Sequence, residues 1–138
     1  MKKIFYAILF ALALPIFADS WNCDYNGTWS SKSETEGFSW KLNWSPGSAP
    51  GNWILTGDYD DKYGSSHLDG TCSSKKCKLT QTYQSGQLNG KVYYWAGTYS
   101  DKVVSATQTT NTFSGTWGTT ANATGGGTWK ATAKCNKE

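Results

Sequence analysis

Few residues in this chain of 138 could do acid–base or metal chemistry. His67 is the only histidine, and all 13 basic residues are lysines. A Ser-His-Asp hydrolase would therefore have to use His67, and a multi-histidine metal site is impossible. Bidentate recognition of phosphate or carboxylate by arginine is excluded as well.

The 10 carboxylates leave one enzymatic hypothesis to weigh. A glycosidase needs two carboxyl groups facing each other across a cleft, about 5–10 Å apart. Asp58 or Asp60 could form such a pair with Asp69, but acidic residues that flank a turn are usually solvated. Asp58, Asp60 and Asp61 also offer oxygen ligands for calcium, although no EF-hand or comparable loop surrounds them. We therefore predict no enzyme, no metal and no cofactor.

Residues 1–18 are typical of a secretory signal peptide. Lys2 and Lys3 precede a run of about 14 apolar residues, which is shorter than the roughly 20 of a membrane-spanning helix. Small Ala18 marks the expected cleavage site. The sequence thus predicts a bacterial protein that is secreted to the periplasm or beyond the cell, with residues 19–138 as its single domain and no membrane insertion.

Loss of the signal peptide changes the charge. It removes two lysines and no acid, so the net charge falls from +3 to about +1. A nearly neutral surface has no electrostatic footprint for nucleic acid or for an anionic membrane.

The four cysteines all lie in the mature chain, and an even count in an exported protein indicates disulfides. Three pairings are conceivable. Cys72 and Cys77 are separated by four residues, as in a hairpin loop, whereas Cys23 and Cys135 lie near the two ends of the mature chain. We expect the pairs Cys72–Cys77 and Cys23–Cys135, since the spacing suits zinc poorly.

Apolar and polar residues alternate along the chain with a period of two, which predicts strands. In one segment Phe38, Trp40, Leu42 and Trp44 alternate with polar residues, and turns rich in glycine and proline separate such segments. We therefore predict an all-β fold, an antiparallel up-and-down meander closed into a small barrel of eight or nine strands and stapled by the disulfides. The strands are expected near 25–31, 37–45, 52–59, 66–73, 76–84, 88–99, 102–109, 112–119 and 127–135.

A Gly-Thr-aromatic motif recurs at Gly27-Thr28-Trp29, Gly97-Thr98-Tyr99, Gly115-Thr116-Trp117 and Gly127-Thr128-Trp129. With Lys130-Ala131-Thr132 closing the last strand, the chain resembles the avidins. More loosely it is similar to the calycin group of small barrels, which includes lipocalins and bacterial protease inhibitors. The resemblance implies that Trp129 packs on the ligand of a neighbouring subunit, and hence a homo-oligomer. The biotin-binding pattern of avidins is not matched, because Ser31, Ser33 and Glu34 follow the first motif.

The aromatic residues give the main functional clue. Six tryptophans occupy inward-pattern positions and are expected to fill the core: Trp29, Trp40, Trp44, Trp53, Trp117 and Trp129. In segment 88–99 one face carries Leu88, Gly90, Val92, Tyr94 and Ala96, and the other carries Tyr93, Trp95 and Tyr99. Since both faces cannot point inward, we expect Tyr93, Trp95 and Tyr99 to form an outward patch.

These observations predict a secreted, non-catalytic binding module. Its ligand would be a carbohydrate or a protein partner that contacts the patch of Tyr93, Trp95 and Tyr99. The alternative is a calycin-like protease inhibitor or small-ligand carrier that uses the barrel mouth, with Trp44, Trp53 and Trp129 lining the pocket.

Overall fold

The computed structural model describes residues 19–138, and the predicted signal peptide lies outside them. Eight antiparallel strands follow one another around a closed barrel, and the first pairs with the last. Among residues 19–138, no helix is long and apolar enough to cross a membrane. The strands are β1 (Trp21–Ser30), β2 (Thr35–Pro46), β3 (Asn52–Asp61), β4 (Gly64–Ser73), β5 (Lys76–Tyr83), β6 (Val92–Ser105), β7 (Gln108–Gly118) and β8 (Gly127–Lys137).

The strand count is eight because the second half of the barrel divides differently from the sequence prediction. Residues 88–91 belong to a loop, in which Gly86 and Gly90 have positive φ angles of 76° and 84°. The predicted strands 88–99 and 102–109 are therefore wrong in their bounds. One long strand, β6, runs on to Ser105, and β7 begins at Gln108.

The inward face of β6 is the opposite of the predicted one. Trp95 and Tyr99 are 6% and 7% exposed, so the prediction of an outward patch of Tyr93, Trp95 and Tyr99 is wrong. The physical reason is that Gly97 shares their face. A Cβ there would lie 2.9 Å from the ring of Trp129, so the missing side chain makes room for that ring. Tyr94, which was predicted to face inward, is half-buried.

The centre of the barrel is filled by a central aromatic cluster of Trp40, Trp95, Phe113 and Trp129. Trp129 lies 5.0 Å from Phe113, 5.7 Å from Trp40 and 5.8 Å from Trp95 between ring centroids. Its indole N–H donates to the carbonyl oxygens of Ala96 and Thr116, at 3.0 and 3.1 Å. At 3% exposure, Trp129 is buried inside its own barrel rather than presented to a neighbouring subunit, contrary to what the resemblance implied.

Both predicted disulfides are confirmed, and both lie at one end of the barrel, which we call the stapled end. Cys23–Cys135 joins the paired strands β1 and β8, and Cys72–Cys77 closes the hairpin of β4 and β5. The opposite end, the mouth, carries loops 31–34, 62–63, 84–91 and 119–126.

The two disulfides should contribute unequally to stability. The residues of Cys23–Cys135 are 112 apart in sequence, and those of Cys72–Cys77 are 5 apart. Because a longer closed loop removes more entropy from the unfolded chain, replacing Cys23 and Cys135 by serine should lower the free energy of unfolding by about 5 kcal/mol. The same change at Cys72 and Cys77 should cost about 2 kcal/mol. Urea denaturation of the two double variants measures this, and equal losses would contradict it.

Candidate functional site

A cavity of about 600 Å³ opens at the mouth, and we call it the mouth cavity. Nine of its 17 lining residues are aromatic. Phe38, Trp40 and Trp95 are buried and belong to its inner part, where Trp40 and Trp95 are shared with the central aromatic cluster. The half-buried rings of Trp29, Tyr59, Tyr63, Tyr93 and Trp117 complete the wall together with buried Tyr83. The interior of the barrel is thus filled at its centre and open to solvent at the mouth.

The aromatic wall is held in place by contacts between the rings. Trp95 and Trp117 stack at 5.7 Å, and Trp95 meets Trp40 nearly edge-on at 5.1 Å. The indole N–H of Trp117 donates to the carbonyl oxygen of Ser30 at 3.1 Å, which links β7 to the end of β1. A Cβ on Gly126 would lie 2.5 Å from the ring of Trp117, so glycine gives that ring its space. The wall is therefore largely preformed.

A buried polar network supports the inner part of the mouth cavity. Gln81 is 2% exposed, and its Oε1 accepts a hydrogen bond from the indole N–H of Trp95 at 3.1 Å. Its Nε2 donates to Ser66 Oγ at 2.9 Å, and that hydroxyl donates to the carbonyl oxygen of Tyr59 at 3.2 Å. This network fixes the orientation of Trp95 and satisfies its buried donor.

The indole N–H of Trp40 differs from that of Trp95. It is buried beside the same cavity and has no hydrogen-bond partner among the described residues. A buried donor without a partner costs about 1–3 kcal/mol.

Charged side chains surround the opening of the mouth cavity. Asp61 accepts a hydrogen bond from the hydroxyl of Tyr83 at 2.5 Å and another from the backbone N–H of Tyr63 at 2.8 Å. Burial first, and then the hydrogen bond to Asp61, raise the pKa of Tyr83 far above its usual value, so its hydroxyl remains a donor. Lys62 forms an ion pair with Glu36.

A second cavity of about 190 Å³ lies at the stapled end. Trp44 and Trp53 line it, with ring centroids 5.9 Å apart, next to Trp21, Asp101 and Asn111. Trp129 lines neither cavity because it lies in the central aromatic cluster. The alternative pocket predicted from Trp44, Trp53 and Trp129 is therefore only partly assembled.

The residues predicted as one patch are divided between the two ends of the interior. Tyr93 and Trp95 line the mouth cavity. Tyr99 packs against Trp44 near the stapled end, with ring centroids 5.0 Å apart. Sequence reasoning missed Gln81 and Asp61 as lining residues. Gln81 could have been found, because it is a polar residue at an inward position between Leu79 and Tyr83 of β5.

The carboxylates considered for catalysis face the outside of the barrel instead. Asp58 and Asp69 lie on adjacent strands and both hydrogen-bond His67, at 2.9 and 3.1 Å. Within the described residues, no group of three or more His, Cys, Asp or Glu side chains could hold a metal ion. The hydrogen bond to Asp58 is the main reason that the pKa of His67 is raised above its usual value.

Comparison with models of protein families, with curated proteins and with solved structures gives no match. The resemblance to avidins and calycins stays a prediction.

The His67 interaction should make stability depend on pH. Because the folded-state pKa of His67 is raised above its unfolded value of about 6.5, its contribution is fully present below that pH. It is lost as the pH rises through the folded-state pKa. Replacing His67 with glutamine should therefore lower the melting temperature most near pH 5–6 and least near pH 9. Asp58→Asn should weaken the same dependence, and a loss that grows toward alkaline pH would contradict it.

Proposed function

We propose that this protein is a secreted, non-catalytic binding protein that holds a small organic molecule in the mouth cavity. The observation that carries the proposal is the cavity itself. Its volume of about 600 Å³ lies in the range of ligand pockets, about 300–1,000 Å³. Aromatic rings with a small number of polar groups are also the usual lining of such pockets.

The arrangement of aromatic residues favours this interior site over an external patch. Trp95 and Tyr99 are buried, and Tyr93 lies in the cavity wall. Among the described residues, the exposed large apolar side chains are Ile54, Val103 and Val104, none of which offers an aromatic ring. A ligand that stacks on aromatic faces would therefore meet them inside the mouth.

The preformed wall supports binding without a large rearrangement. Trp95 is held by Gln81, and Trp117 is held by the Ser30 carbonyl, so little side-chain entropy remains to be lost when a ligand enters. Both disulfides lie at the opposite end, so neither of them links the loops of the mouth. They also support the proposal that the protein works in an oxidising compartment outside the cytoplasm.

Binding of N-phenyl-1-naphthylamine, a neutral apolar fluorophore, tests the proposal. Its emission should rise in the mature wild-type protein as it leaves water for the aromatic cavity. Tyr93→Ala removes one ring from the wall and should weaken binding by about 1–2 kcal/mol, or about 5–30-fold.

Two control variants locate the site. Tyr94→Ala removes the same side chain from the neighbouring position on β6, which does not line the cavity, and should leave the affinity within about twofold. Trp53→Ala alters the stapled-end cavity and should also have little effect. Equal losses in Tyr93→Ala and Tyr94→Ala, or a loss confined to Trp53→Ala, would refute binding in the mouth.

A further inference from the structure

We propose that the natural ligand of the mouth cavity is an organic cation, a substituted ammonium group carried on an apolar body. This inference rests on the proposed function and specifies its ligand class. Three features of the mouth support it: its negative charge balance, the aromatic rings beside its carboxylates and the fixed position of Asp61.

The charge balance of the lining is negative. Glu34, Glu36 and Asp61 line the cavity with a single ammonium group, Lys62, which leaves an excess of two negative charges. Lys62 is already paired with Glu36, so Glu34 and Asp61 remain for a ligand. Lys32 and Lys91 lie in the adjoining loops, where they are exposed and outside the lining.

The aromatic lining also suits a cation. The faces of tryptophan and tyrosine rings attract cations, and cages of such rings bind quaternary ammonium groups. Tyr83 and Tyr93 meet nearly at right angles, with centroids 6.0 Å apart, and Tyr93 in turn lies 6.2 Å from Trp117. Because the hydroxyl of Tyr83 is bonded to Asp61, the carboxylate lies directly beside this group of rings.

Asp61 is positioned before any ligand arrives. Its Oδ2 accepts from Tyr83 and its Oδ1 from the backbone of Tyr63, so both oxygens are held by donors. Each oxygen of a carboxylate has two acceptor sites, so each oxygen of Asp61 keeps one site for an N–H of a ligand. A fixed charge next to apolar rings interacts more strongly than one in open water.

An anionic ligand fits the same mouth poorly. It would have to approach Glu34 and Asp61, and the one lining ammonium group is already paired. The chain has no arginine with which to hold a carboxylate or phosphate in two hydrogen bonds.

The test compares phenyltrimethylammonium with tert-butylbenzene, two compounds of the same shape that differ in the charge of one atom. Each is measured by quenching of tryptophan emission and by displacement of N-phenyl-1-naphthylamine. In wild-type protein at low ionic strength, the cation should bind about 10-fold or more tightly than its neutral counterpart. High salt should reduce this preference, because the mouth is open to solvent.

Variants then assign the preference to the mouth carboxylates. Asp61→Asn keeps one side-chain oxygen for Tyr83 but loses the hydrogen bond from the Tyr63 N–H. It should weaken binding of the cation about fivefold or more. Binding of tert-butylbenzene, which reports any local disturbance of the mouth, should change less than about twofold. Asp60→Asn removes the neighbouring exposed carboxylate, which does not line the cavity, and should have little effect on the binding of either compound. Glu34 lies in an exposed loop, so Glu34→Gln should not affect folding. This variant should also weaken binding of the cation.

The outcomes separate the two proposals. If tert-butylbenzene binds as tightly as the cation and Tyr93→Ala weakens both, the mouth is a binding site but the inference of a cationic ligand is wrong. If Asp60→Asn and Asp61→Asn weaken the cation equally, the effect is general surface charge and the inference is also wrong. If neither compound nor the fluorophore binds wild-type protein, the proposed function itself fails.

Discussion

The structure depends on how large aromatic side chains fill a barrel of eight strands. Every strand must place one face inside, and the interior has room for only a limited set of rings. Trp129 lies at the centre, with its N–H bonded to carbonyl oxygens of β6 and β7 and with Phe113, Trp40 and Trp95 around it. Because these rings pack across the barrel, they divide its interior into two separate cavities.

The two ends of the barrel have different constraints. At the stapled end, Cys23–Cys135 joins the first strand to the last and Cys72–Cys77 joins the two strands of a hairpin, so two of the strand pairs are linked covalently there. That end encloses about 190 Å³, whereas the mouth encloses about 600 Å³ between longer loops. The larger, aromatic-lined cavity at the mouth is therefore the one in which we propose that a ligand binds.

Several features could be predicted from the sequence because they depend on local alternation of residues or on the number of cysteines. The alternation in Phe38, Trp40, Leu42 and Trp44 predicted a strand with one buried face, and all four are buried in β2. Four cysteines allow only three sets of disulfide pairs. A meander that closes on itself brings Cys23 next to Cys135. The sequence leaves the number of strands at eight or nine, because residues 102–119 could form a hairpin or a single bent strand. In the structure β6 ends at Ser105 and β7 begins at Gln108, which makes eight.

The candidate site was less accessible to such reasoning. Alternation shows that two sets of residues in β6 face opposite sides, but it does not show which set faces inward. Packing against the neighbouring strands decides it. The ring of Trp129, two strands away, occupies the space beside Gly97. Gly97 therefore faces inward, and Trp95 and Tyr99 lie on the same face of β6.

By itself, the sequence determined the all-β class, the closure of the meander and both disulfides, because period-two patterning and cysteine spacing act over short distances or across a known topology. Only the tertiary structure decided that Tyr93 and Trp95 share a cavity with Asp61 and Gln81 while Tyr99 lies toward the other end. The physical reason is that a cavity is the space that packed side chains leave unfilled. Its place depends on the sizes and contacts of rings from all eight strands at once, and no single segment carries that information.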